Sequence, residues 1–226
     1  MRTLHHWVLD PFSRQARLAI AEKGLRVRLK EEHVWDGRQD FLALNPAGTT
    51  PVLVEQGAPK VVVVGARAIL EYLEETAPEP ALLPKDPVAR AEARRLADWF
   101  DRKFDAEVNA RLLHEKVEKM VTARAPSGRA IREGRDALER HLHYVAQLAE
   151  ARGWLAGDRL TIADVAGAAH LSCIDYLGEV DWDAVPPAKA WFGRWKARAS
   201  YRSLLEDRML GLPPAQVYAE AAGATV

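Results

Sequence analysis

The chain is poor in the features that mark several large protein classes. It carries a single cysteine, Cys173, which excludes an internal disulfide and a cysteine-based zinc site and suits a reducing cytoplasm. It has no excess of either charge: 32 Lys and Arg stand against 32 Asp and Glu. Nucleic-acid binders ordinarily carry a basic surplus, so no nucleic acid is expected as partner, while a chain near neutrality is compatible with self-association. Long apolar runs are missing as well. No stretch reaches the roughly 18 apolar residues of a membrane span, and Met1 to Trp7 holds no signal-peptide core. A cytoplasmic protein with no membrane partner is expected. The histidines do not form a metal site either. His5 with His6 and His141 with His143 stand at spacings of one and two, which do not converge on an ion, so surface or capping roles are expected and no metal.

What is present is ordinary globular material, 226 residues with 48% hydrophobic and 28% charged side chains, enough for two small domains sharing an interface. Thr3 to Val8 reads as a strand. Pro11 to Lys23 carries Phe12, Ala16, Ala19 and Ile20 at helical spacing, with Gly24 placed to end the helix. Arg26 to Val34 alternates as a half-exposed strand, a loop follows at Asp36-Gly37, and Asp40 to Leu44 is a short helical piece. Pro51 to Val54 and Lys60 to Val64 are two β-rich runs flanking Gln56-Gly57-Ala58-Pro59, an antiparallel hairpin. Ala66 to Glu75 closes the segment as an amphipathic helix. Strand, helix, strand, then hairpin and helix, is the thioredoxin-like α/β pattern with a mixed four-stranded sheet. The prolines at 78, 80, 84 and 87 mark a linker. Beyond it only helices are expected, at 87 to about 120, 127–152, 162–177, 187–198 and 201–208. The division is therefore residues 1–77 α/β, 78–87 linker, 88–210 all-helical, and an irregular tail at 211–226.

Two segments carry a resemblance. Asn45-Pro46-Ala47-Gly48-Thr49-Thr50-Pro51-Val52-Leu53 is similar to the stretch leading to the cis-proline of the glutathione transferase superfamily, with Pro51 in that role. A cis bond there would leave the N–H and C=O of Thr50 open to an extended ligand; the plainer alternative is a proline at a strand start. Thr161-Ile162-Ala163-Asp164 resembles the family's helix-opening capping box, a folding element. The resemblance runs over essentially the whole chain and implies the transferase architecture: the α/β domain just described, then an all-α domain.

It also implies a glutathione site, and the residues that would build one are missing. The position before Pro11-Phe12, where family members place a Ser or Cys to stabilise the thiolate, holds Asp10; an ionised carboxylate would raise a thiol's pKa. Members that use a Tyr at the end of the first strand find His5, His6 and Trp7 here instead. Ser13 is the one hydroxyl that could stand in, against a reading as an ordinary helix-start serine, which we favour. At the third helix, Gly65 and Ala66 occupy the positions of the acidic or amide residue and the Ser that hold the γ-glutamyl group. Only the backbone N–H groups of Ala66 and Arg67 remain for a carboxylate. The groove at Asp10, Thr50, Pro51, Gly65 and Ala66 is thus read as degenerate, with no cofactor. The alternative is a divergent glutathione transferase that conjugates glutathione to small electrophiles.

Further strings, Trp99 to Val108, Leu112 to Val117, His170 to Gly178, Tyr201 to Arg208, Pro213-Pro214 and Tyr218-Ala219, resemble a group of transferase-shaped alphaproteobacterial division proteins that bind the tubulin-like protein FtsZ. That resemblance implies a homodimer without transferase activity that binds FtsZ filaments and regulates division. It assigns the partner surface to Trp35 on the loop over the groove, to Arg102, Lys103 and His114 on the long helix, and to Tyr218 and Glu220 near the end. Trp35 could equally pack beneath its own loop, and charges on a helix face are solvated by default. After Tyr218-Ala219 the group's acidic, aromatic tail is replaced here by a run in which Glu220 alone keeps that character. Asp101, Asp105 and Glu107, interleaved with Arg102 and Lys103, are read as a salt-bridged surface.

Overall fold

The computed structural model describes residues 1–216 and 218. Its first domain is a four-stranded sheet of order β2-β1-β3-β4. β1 (Arg2–His6) pairs parallel with β2 (Arg28–Glu31), and β1 with β3 (Val52–Glu55) and β3 with β4 (Val61–Val64) are antiparallel. Helices α1 (Pro11–Glu22), α2 (Gln39–Leu42) and α3 (Ala66–Thr76) complete it. The mixed four-stranded sheet expected from the pattern is present. β1 and β2 are shorter than their apolar runs, because the chain turns at residues 7–10 into α1 and Val34–Asp36 forms a 3-10 turn.

α1 begins where the local chemistry puts it. The Asp10 carboxylate accepts from Phe12 N and Ser13 N, and Pro11 at the first position has no N–H to satisfy. The helix ends at Gly24, whose φ of 63° is the left-handed conformation glycine adopts at no cost. α1 is wedged between the sheet and the second domain, so it is buried on both sides, including the charged Arg14 and Arg17.

The linker is pinned rather than loose. Leu82 and Leu83 are buried, their N–H groups donate to the Glu74 carboxylate, and Leu82 O accepts from Ile162 N. The buried Lys23 ammonium ties Glu74 (2.7 Å) to the carbonyls of Ala77 and Pro80.

The second domain starts with one long helix, α4 (residues 87–121). It is α-helical over Pro87–Asp98, π-helical over Trp99–Asn109, α-helical over Ala110–Leu113, π-helical again over His114–Glu118, and α-helical at Lys119–Val121. α5 (Gly128–Arg152), α6 (Ile162–Tyr176), α7 (Pro186–Lys196) and the short α8 (Arg202–Leu205) follow. All fifteen residues of α6 are buried, as expected for a helix apolar on every side and walled in by others. Its capping box is formed: Thr161 N donates to Asp164 Oδ2, and the same carboxylate accepts from Leu155 N and Trp191 Nε1. Gly167 lets α6 approach α4, since a Cβ there would lie 2.9 Å from Leu155 Cδ1 and 3.0 Å from Phe100 Cζ.

The described part of the tail is fastened to the helical domain: Ala215 N donates to Tyr176 O, and Tyr218 is buried with its hydroxyl donating to Leu204 O. One expectation needs correcting. The histidines are not surface groups, since His5, His6 and His141 lie buried and only His143 of the four is exposed. Trp99 Nε1 donates to His141 Nδ1, and His141 Nε2 donates to Glu107. Among the described residues no helix is long and apolar enough to cross a membrane.

Candidate functional site

Where the end of β1, the start of α1 and the turn before β3 meet, Asp10 is the hub. Its carboxylate accepts from Phe12 N, Ser13 N, Ser13 Oγ (2.6 Å) and Thr50 Oγ1 (2.7 Å). Burial pushes its pKa up, while those four donors favour the charged form. Asp10 therefore caps α1 and fastens the Thr50 turn to it. The Asp-Pro pair at a helix start was the legible signal for this role. Ser13, the candidate thiol activator, is fully buried; its hydroxyl donates to Asp10 and accepts from Trp7 N. It has no free face to offer a ligand thiol.

The Thr50–Pro51 bond is cis. Pro51 O accepts from Gly65 N, and among the described residues no protein group takes the N–H or C=O of Thr50. At the head of α3, Gly65 stands at the N-cap with no side chain to cap with, and Ala66 is buried. The next residue, Arg67, reaches across to the other domain and donates to Asp101 Oδ2 at 2.6 Å.

Asp101 belongs to a polar network between the domains. Gln15 on α1 donates to Asp101 Oδ1, and His170 of α6 lies 3.3 Å from the same oxygen. Asn109 Nδ2 donates to His170 Nδ1 (2.7 Å) and to Asp105 Oδ1 (3.1 Å), which leaves the His170 proton on Nε2, toward Asp101. Burial raises the Asp101 carboxyl, but His170, Arg67 and Gln15 together hold it below its ordinary value. The reading of Asp101, Asp105 and Glu107 as a salt-bridged surface is thus corrected: Asp101 and Asp105 turn toward the buried His170, and Glu107 pairs with Lys103 outside while also accepting from the buried His141.

Above this network lies a groove of about 700 Å³, within the range of ligand sites. One wall is Trp7, Leu9, Phe12, Trp35 and Thr50; the other is α4, through Asp105, Asn109, Leu113, His114 and Glu118. Trp35 is 40% exposed, edge-on to Trp7 at 5.2 Å and stacked on His33 at 5.0 Å. It packs on its own loop and also lines the groove, so both readings of it hold in part.

Among the described residues otherwise assigned to a partner surface, the structure brings only His114 to this groove, where its Nδ1 lies 2.8 Å from Glu118 Oε2. Arg102 and Lys103 are on the outer face of α4, Arg102 paired with Asp98 and Lys103 with Glu107 and the Trp99 ring. This stretch of α4, Trp99–Asn109, is π-helical. Tyr218 is a core side chain, and Glu220 lies outside the described residues. Asp105 and Asn109 are groove residues that sequence reasoning passed over, because their i, i+4 spacing alone does not tell which face turns inward.

Residues 4–81 match the glutathione S-transferase N-terminal domain family and residues 113–199 the glutathione S-transferase C-terminal domain family. The chain is 52% identical over 219 residues to FtsZ-localized protein A of Caulobacter vibrioides, covering 96% of each chain. It superposes on the solved structure of FzlA from C. crescentus with a TM-score of 0.95 and 51% identity, covering 97% of this chain and 98% of that one. A glutathione S-transferase structure from Rhodospirillum rubrum F11 matches with a TM-score of 0.94 and 46% identity over 98% and 99% of the two chains. The chain belongs to the glutathione transferase superfamily and, within it, to the family of FtsZ-localized protein A.

Proposed function

We propose that this protein is a non-catalytic, transferase-shaped binding protein of the cytoplasm that engages FtsZ filaments and regulates cell division. The observation that carries the reading is the 52% identity, sustained over 96% of both chains, to a protein named for its localisation with FtsZ. The site supports it. The position for a thiol-stabilising hydroxyl holds Asp10, whose oxygens are spent on the protein, and the γ-glutamyl positions hold Gly65 and Ala66. The groove offers an exposed tryptophan, a side chain suited to anchor a protein partner. Purified protein is expected to co-pellet with assembled FtsZ at micromolar concentration, and Trp35→Ala to weaken that binding roughly tenfold. Absence of the wild type from the pellet would refute the reading.

A second reading, a divergent glutathione transferase, draws on the open backbone of Thr50 beside the cis proline. A native-state ligand at about a hundred times its Kd adds about 2.7 kcal/mol of stability, worth several degrees in a chain of this size. We expect glutathione at roughly 10 mM to leave the melting temperature within about 1 °C. A rise of several degrees in differential scanning fluorimetry would favour the transferase reading instead. Self-association as a homodimer is the other partner expected; the edge strand β4 exposes Val62 and Val64, and a monomer mass by light scattering would refute it.

A further inference from the structure

The charged groups lining the groove are not equally engaged. Asp10 is saturated by four donors. Glu118 is paired with His114, and Arg124, beyond the end of α4, donates to Thr122. Asp105 differs. Its side chain is 32% exposed, both of its contacts, with Asn109 and with His170, use Oδ1, and among the described residues Oδ2 takes part in none. One turn along, Asn109 is 3% exposed, and its Oδ1 has no hydrogen-bond partner there although both of its bonds through Nδ2 are made. A buried amide oxygen left without a donor is costly and calls for an explanation.

The groove thus presents a carboxylate with an unused oxygen opposite the rings of Trp7, Phe12 and Trp35, while the unpaired Asn109 oxygen stays buried in the groove wall. A carboxylate oxygen without a matching donor, faced by aromatic rings, suits a planar cation that donates N–H bonds and stacks. Guanidinium does both, whereas an ammonium is a strongly hydrated point charge. The free N–H and C=O of Thr50 lie in the same groove and can pair with an extended main chain.

We infer that the groove is a receptor for an arginine side chain carried on an extended, otherwise apolar segment of a partner protein, with Asp105 as its anionic contact and Trp35 as the stacking surface. The inference rests on the reading of the groove as a protein-binding site and adds the chemistry of what enters it.

The test uses the full chain and two seven-residue peptides, Ac-Leu-Ala-Leu-Arg-Leu-Ala-Leu-NH2 and its citrulline counterpart, which keeps the shape of arginine but not the charge. Tryptophan fluorescence titration is expected to show saturable binding of the arginine peptide at Kd of about 1 mM or tighter. Citrulline in the peptide, or Asp105→Asn in the protein, should each weaken it about five- to tenfold. The substituted amide retains an acceptor for Asn109, and a thermal melt checks that the variant folds; the citrulline arm needs no variant at all. No saturable binding, or equal binding of the two peptides, overturns the inference. The FtsZ arm separates the two claims. If wild type co-pellets with FtsZ yet does not distinguish the arginine from the citrulline peptide, the arginine site falls and the FtsZ reading stands. If wild type fails to co-pellet yet distinguishes arginine from citrulline, the FtsZ reading falls and the arginine site stands.

Discussion

Asp207→Ala is expected to lower unfolding free energy by about 3–5 kcal/mol, read as a drop in the urea midpoint with an unchanged slope. Asp207 follows α8 and accepts from Arg14 Nη2 (3.1 Å), Arg17 Nη1 (2.8 Å) and Arg17 Nη2 (2.9 Å). Arg14 is fully buried and Arg17 nearly so. Removing the carboxylate leaves two guanidinium groups in a poorly solvated site with only neutral partners, Val8 O and Ser172 Oγ for Arg14 and Ser203 O for Arg17. The cost is dominated by the stranded charges rather than by the loss of attraction. Asp207→Asn, which keeps one acceptor and the shape, should lose less. Because the cluster is buried, salt should change the difference little. A loss under about 1 kcal/mol would mean that water enters the interface and the charges are not buried in solution.

The second large effect is at the capping box of α6. Asp164 is fully buried and accepts from Leu155 N, Trp191 Nε1, Thr161 N and Thr161 Oγ1. Asp164→Ala leaves three N–H donors from three parts of the helical domain without acceptors. At about 1–3 kcal/mol for each buried unsatisfied donor, with incomplete additivity, a loss of about 4 kcal/mol is expected. Chemical denaturation followed by circular dichroism measures it. A loss near that of an exposed cap, about 1 kcal/mol, would show that the carboxylate serves only Thr161.

These two aspartates show what could be read from the chain and what could not. Asp164 was legible because the Thr161-to-Asp164 box is a local pattern: two side chains and a backbone turn within four residues. The hairpin at Gln56 to Pro59 and the helix starting at Pro11 were legible for the same reason. Asp207, Arg14 and Arg17 were not, since their contacts join residues 190 and more apart in sequence. A charged residue on an amphipathic helix defaults to solvent until a second domain covers it. Asp101 and Asp105 failed in the same way. For the site, the positions Asp10, Gly65 and Ala66 could be singled out, because the resemblance supplied them. That Asp10 ties Thr50 to α1 could not, as nothing local connects them. Arg102 and Lys103 were assigned to a partner surface by resemblance alone, and their pairing with Asp98 and Glu107 outside the groove had no local signal to reveal it.

The π-helical part of α4 has a consequence for how the molecule can change. In a regular helix each residue turns the chain by about 100°, so the side of a helix that meets a groove is decided by counting residues from its packed end. In α4 the count is altered by i→i+5 bonding over Trp99–Asn109 and again over His114–Glu118. The compass bearing of Asp105, Asn109, His114 and Glu118 is thus stored in main-chain register, not in any one side chain. Insertion or deletion of a single residue within α4 would swing one wall of the groove toward solvent while leaving every groove residue in the sequence.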